Sequence, residues 1–175
     1  MKRGFLLSVA LLLLHGAVLA QPSAPPAESG ETALYAYRKL GNRYIVSIKN
    51  QQEIVAALKA FCQAQRVRSG SITGIGAVNA ATLRFIDTSS RRFTEKMFSE
   101  QLEMTNLSGN VSTLDGALYL HLHITLGRAD YTAIGGHLIA ATINGAGEIV
   151  IDDWQSPLER TYDEAVGVNF YDFKK

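Results

Sequence analysis

"ALYLHLHITLG", residues 117–127, alternates with a period of two. Leu118, Leu120, Leu122, Ile124 and Leu126 fall on one side, and Ala117, Tyr119, His121, His123 and Thr125 on the other, because successive side chains of an extended strand point to opposite faces. An aliphatic row backed by a polar row describes a strand with one face on a core and the other outside it. That is the signature of an antiparallel sheet covered on one side.

The neighbouring sequence continues in the same way. "SGSITGIGAVNAATLRFID" from Ser69, "RRFTEKMF", "QLEMTNLSGNVS", "TAIGGHLIAATING" and "EIVIDDW" all read as strands joined by short turns. "NGAGE", residues 144–148, is a hairpin signal, since Asn-Gly suits the positive φ angles of a tight β-turn. Before Ser69, "ALYAYRKL" and "RYIVSIKN" flank Gly41-Asn42 as a further hairpin. Asn50 then offers a helix cap with Glu53 three residues later, and Ile54, Val55, Leu58, Phe61, Cys62 and Gln65 recur at spacings of three and four. This predicts one amphipathic helix of about four turns. The expected fold is α+β: a large, mainly antiparallel sheet with one long helix packed on a face.

At 175 residues, 47% hydrophobic and 19% charged, the chain has the length and composition of one globular domain. Its first segment differs. Lys2 and Arg3 precede an apolar run from Phe5 to Leu14, and small residues end at Ala20, with Val18 and Ala20 at the −3 and −1 positions of a cut. Residues 1–20 are expected to be a secretory signal peptide, since the apolar run is shorter than the ~20 residues a bilayer requires. Residues 21–33 hold three of the four prolines and read as a flexible linker, leaving 34–175 as a single domain. The protein is thus expected in the periplasm or outside the cell, with no stable membrane insertion after cleavage.

Losing Lys2 and Arg3 leaves 15 basic residues of the 17 against 16 acidic ones, a net −1 in place of +1. With no basic block, phosphate backbones have little to attract them, and nucleic acid is not an expected partner. The lone Cys62 cannot close an internal disulfide and sits in the helical stretch, which makes it a small buried residue rather than a reactive thiol.

Four histidines occur in the chain, and three of them, His121, His123 and His137, lie within seventeen positions. His121 and His123 stand on one face about 7 Å apart. His137 follows Gly135 and Gly136 and joins them if its strand returns beside the first through the short "GRADY" connection. Three imidazoles so placed suit a divalent metal, zinc first, with a coordination position left open; copper, nickel or iron accept the same ligands, and the alternative is a purely structural protein whose histidines merely pack. Affinity is expected to fall as pH drops below the ~6.5 reference value of histidine. A cupin reading fails, because Gly127 and Arg128 stand where a Glu is required.

No other catalytic constellation is present. Glu103 is a weak candidate for a general base beside an open metal position; a solvated strand residue is the alternative. Asp152 and Asp153 are adjacent and so face opposite ways. Asn110 and Ser112 read as turn or bulge residues, no G-x-S-x-G elbow surrounds a serine, and "GIGAV" precedes a strand rather than the helix a dinucleotide site needs. Whether the protein is an enzyme is left open, and an unidentified small molecule is the expected ligand. The aromatic tail "VNFYDF", residues 168–173, is expected to pack on its own domain or a neighbouring subunit.

"GSITGIGAVNAATLRFID", "LEMTNLSGNVS", "LHLHITLG" and "GGHL" occur in the order and spacing of the plants-and-prokaryotes-conserved (PPC) domain family, which the chain resembles over roughly residues 34–152. The resemblance implies an α+β fold assembled as a homotrimer, and a metal site formed by the three matching histidines in prokaryotic members. Plant members carry AT-hooks and bind DNA in the nucleus. This chain has no Arg-Gly-Arg-Pro hook and its first segment is expected to direct export, so a DNA-binding or protein-interaction module is the alternative function.

Overall fold

The computed structural model of the protein describes residues 28–174 apart from Thr88 and Arg91. The expected signal peptide therefore lies outside the described residues, as does most of the expected linker.

Among the described residues, ten strands and one helix follow one another. They are β1 (Ser29–Glu31), β2 (Tyr35–Leu40), β3 (Arg43–Ile48), α1 (Ile54–Gln65), β4 (Gly70–Asp87), β5 (Arg92–Phe98), β6 (Leu102–Leu114), β7 (Ala117–Gly127), β8 (Ala133–Asp153), β9 (Glu159–Asp163) and β10 (Val168–Tyr171). All belong to one sheet in the order β1-β2-β3-β8-β4-β6-β9-β10, with β5 on β4 and β7 bridging β6 and β8. Every ladder is antiparallel except the short one between β6 and β9. Strands β4, β6, β7 and β8 close a ring, since each pairs with the next and β8 returns to β4. The α+β fold is as the alternation predicts.

The leucine face of β7 is a core face: Leu122, Ile124 and Leu126 are buried with Leu107 and Val111 of β6 and Leu138 and Ile143 of β8. The helix closes this core. Ile54, Ala57, Leu58, Phe61 and Cys62 are its buried side, and Phe61 meets the rings of Tyr35, Tyr37 and Tyr44 edge-on at 5.2–5.4 Å, a favoured aromatic geometry. Burial pushes the Cys62 thiol up to about 12, so it stays protonated and inert, as expected.

Four sequence expectations are corrected. The helix is capped by Glu53, not Asn50: the Glu53 carboxylate accepts from the amides of Val55 (2.8 Å) and Ala56 (2.6 Å). It also accepts from Ala141 on β8 at 3.1 Å, which ties the helix start to the sheet and leaves twelve helical residues, nearer three turns than four. Asn50 instead accepts from the amide of Gly145 at 3.0 Å.

The second correction concerns "NGAGE", which is no hairpin. Strand β8 runs through it from Ala133 to Asp153, and Gly145, at φ +126, bends the strand where it exchanges β7 for β3 as its second neighbour. Only glycine takes that φ without strain, and Asn144 anchors the bend by bonding Gln51 and Gln101. Third, the linker reading ran too far along the chain: Ser29–Glu31 pair with Ala36–Arg38 as β1, a strand too short for a period to show in sequence. Fourth, Asn110 and Ser112 lie within a continuous β6 rather than in a turn. As expected, Asp152 and Asp153 form no pair; Asp152 binds Arg43 at 2.6 Å.

Candidate metal centre

The three histidines meet on the outer face of the ring. His123 and His137 are direct cross-strand partners in the β7–β8 ladder, and His121 is two residues from His123 on the same face. The "GRADY" connection makes this possible: Arg128 and Thr132 close it by a backbone hydrogen bond of 2.9 Å, and the Asp130 carboxylate accepts from the Thr132 amide and hydroxyl. Gly135, opposite Thr125, allows the two strands their close approach, since a Cβ there would come within 2.9 Å of the Ile124 carbonyl oxygen.

The ring centroids lie 5.2, 5.2 and 5.3 Å apart, and one nitrogen from each ring lies within 4.8 Å of the other two. A tetrahedral zinc ion with Zn–N near ~2.0 Å needs nitrogens about 3.3 Å apart, so each ring has to move by only about 1 Å. The donor chemistry suits such an ion. Burial first, and then the positive character of His137, His123 and Arg160, bring His121 down to about 4. Burial, then His123 and Arg84, also lower His137. These two imidazoles are therefore neutral and ligand-competent at neutral pH. No hydrogen bond from another described residue occupies the three rings, so among the described residues their nitrogens are uncommitted.

Glu103 is not part of this cluster. It sits opposite Gly127 on the β6–β7 ladder, four residues along from His123 and so roughly 13 Å away. There it lines a shallow groove with Ile75 and Glu148. A bulge between Met104 and Asn106 keeps it on the histidine face, as its position suggests, but not within reach of an ion in the same chain.

Sequence reading missed Arg160. It arrives on β9, whose short parallel pairing with β6 brings it beneath Asn110 and Ser112, the cross-strand partners of His121 and Tyr119. Nothing in "PLERTYDEA" signals this, because the contact is made across some fifty positions. The aromatic tail packs as expected, in part: β10 pairs with β9 and Tyr171 covers Arg160 at 4.2 Å, whereas Phe173 is exposed.

Fold and cluster together define an α+β domain carrying three imidazoles on its outer face. The Plants and Prokaryotes Conserved (PCC) domain matches residues 35–155. The chain belongs to that family, the PPC family of the sequence motifs. No curated protein matches it in sequence. Among solved structures, a candidate DNA-binding protein from Bacteroides thetaiotaomicron is 51% identical, with a TM-score of 0.80 over 81% of this chain and 99% of that one. A metal-containing protein from Archaeoglobus fulgidus is 27% identical, with a TM-score of 0.71 over 80% of this chain and 99% of that one. A plant- and prokaryote-conserved protein from Pyrococcus horikoshii, at 21% identity and a TM-score of 0.69 over 83% of this chain and all of that one, shares the fold.

Proposed function

We propose that this is an exported, homotrimeric PPC-domain protein that holds one divalent metal ion, zinc first, on His121, His123 and His137 and offers an open coordination position to a small ligand. The observation that carries the reading is the convergence of three uncommitted imidazole nitrogens within 4.8 Å of one another. That the Archaeoglobus relative contains metal supports it. A bound ion would supply Lewis acidity at that position; the chain supplies orientation through the β7–β8 ladder, and burial favours the neutral form of His121 and His137.

Assembly is supported by the surface beside the site. The cross-strand row Ile45–Val150–Thr73–Ser108–His123–His137 runs over the outer face, and on that face Ile45 is 40% and Ile75 56% exposed. A subunit covering those isoleucines would share the face that carries the histidines. Export is supported by the leader-like residues 1–20. Among the described residues no helix is long and apolar enough to cross a membrane.

The deciding experiment is metal stoichiometry per chain, by elemental analysis, for the wild type and the three single His→Ala variants offered zinc near neutral pH. One ion per chain in the wild type and a large loss in each variant is expected; equal metal in all four, or none in the wild type, overturns the site.

DNA binding is the second reading, favoured by the description of the Bacteroides and Ralstonia eutropha relatives as candidate DNA-binding proteins. The near-neutral charge opposes it. Salt-dependent micromolar binding to duplex DNA at ~0.15 M salt would establish it.

A further inference from the structure

Arg160 is a buried cation whose hydrogen-bond acceptors among the described residues include no carboxylate. It is 4% exposed. Its Nε donates to Ser112 Oγ at 2.8 Å, Nη2 to Asn110 Oδ1 at 2.9 Å and Nη1 to the Asn169 carbonyl at 3.0 Å. The guanidinium lies over the rings of Tyr119 and Tyr171, at 5.0 and 4.2 Å. All three acceptors are neutral, and none of the ion pairs among the described residues includes Arg160. Burying an ion is costly and is normally offset by an opposite charge. Here dipoles and tyrosine faces hold the cation while leaving its net charge in place.

That charge stands beside the histidine cluster. Asn110, which takes one of its hydrogen bonds, is the cross-strand partner of His121. The arginine on the other flank is different: Arg84, opposite His137, is neutralised by Glu95 at 2.8 Å. The donors of the cluster carry no negative charge, and Glu103 lies about 13 Å along the strand. With a divalent ion on these imidazoles, the neighbourhood gathers positive charge, and the carboxylate on its flank, Glu95, is already engaged by Arg84.

We propose that the open position takes an anionic oxygen ligand, a carboxylate or a phosphate, and that the Arg160 charge selects the anion over its neutral analogue. The inference rests on the metal reading above. Arg160 is too buried to be the main contact. It is a positioning residue that acts through its field in a low-dielectric setting, while also tying β9 to β6.

The test uses full-length protein loaded with cobalt(II), whose visible spectrum reports the coordination sphere. Acetate, phosphate and acetamide are titrated at constant ionic strength into the wild type, Arg160→Lys and Arg160→Gln. Wild-type protein should bind acetate or phosphate at least about tenfold more tightly than acetamide, a typical effect of one well-placed charge; the tighter of the two anions names the ligand class. Arg160→Lys should keep most of this preference and Arg160→Gln should lose it, with cobalt content unchanged in both. A purely structural role would move both variants together. The proposal is overturned by equal wild-type affinity for acetate and acetamide, or by a folded Arg160→Gln with unchanged preference. If neither variant folds, the wild-type comparison decides alone. Absence of cobalt uptake by the wild type sinks the metal reading and this inference together; uptake without anion preference sinks only this inference.

Discussion

His123 and His137 face each other as a directly opposed pair across the β7–β8 ladder, with ring centroids 5.3 Å apart. Their spacing is set by backbone hydrogen bonds, not by side-chain packing, so the pair is in place whether or not an ion is bound. Zinc should therefore stabilise the wild type by simple linkage. At a free concentration of about 100 times Kd the gain is about 2.7 kcal/mol. His123→Ala should unfold at nearly the wild-type temperature without zinc and show little upward shift with it, because His123 is the exposed member of the three. Thermal denaturation of both proteins with and without zinc measures this; an equal shift in both contradicts it.

Acid should weaken the metal-free fold. The folded-state value of His121, about 4, lies below its ordinary 6.5, so between those values the unfolded chain binds more protons than the folded one. The stabilising contribution is complete above ~6.5 and is lost as pH falls to about 4. His137, also lowered, acts in the same direction. Chemical denaturation at a series of pH values should show stability declining across that window in the wild type and less steeply in His121→Ala. The same shift moves the acid release of metal to lower pH than the ~6.5 reference value alone implies.

Glu53→Ala should cost about 2 kcal/mol, the upper end for loss of a helix cap. The substitution strands the amides of Val55 and Ala56 and also that of the buried Ala141, whose lone donor adds to the penalty. Urea unfolding should show a lower midpoint with an unchanged slope. A change below about 0.5 kcal/mol would mean that water replaces the carboxylate at all three amides.

Ile75→Glu should dissociate the proposed trimer. A carboxylate placed on the exposed isoleucine patch has no partner there and would have to be desolvated on assembly. Light scattering coupled to size exclusion should give three chain masses for the wild type and a smaller species for the variant. A wild-type monomer at micromolar concentration removes the assembly.

Intact mass of protein recovered from an exporting host should match a chain starting at or near Gln21. A mass that retains residues 1–20 contradicts cleavage.

The sheet and the histidine face were legible because strand alternation is local: eleven residues of β7 carry both the core row and two of the three imidazoles. The third needed only a short connection, which "GRADY" announced. What escaped depends on distant partners. The spacing of Asn50 and Glu53 points to Asn50 as the cap, whereas Glu53 caps the helix and Ala141, on β8, gives its carboxylate a third donor. Asn-Gly at 144–145 looks like a turn in any sequence, and whether it reverses the chain or merely bends it is decided by the availability of β4 as a partner along both halves of β8. Arg160 was illegible for the same reason, since its acceptors on β6 lie some fifty residues earlier.

All three imidazoles belong to one hairpin. Its loop is residues 128–132, while the ring of strands closes only when β4 meets β8 across sequence separations of roughly fifty to eighty residues. Closing a short loop costs far less chain entropy than closing a long one and is correspondingly fast. The expected order during folding follows: the histidine hairpin can form, and meet an ion, before the long-range ladder exists. An ion taken up at that stage would hold the correct β7–β8 register while the rest of the chain searches for it, acting on the rate at which the native state is reached as well as on its final stability.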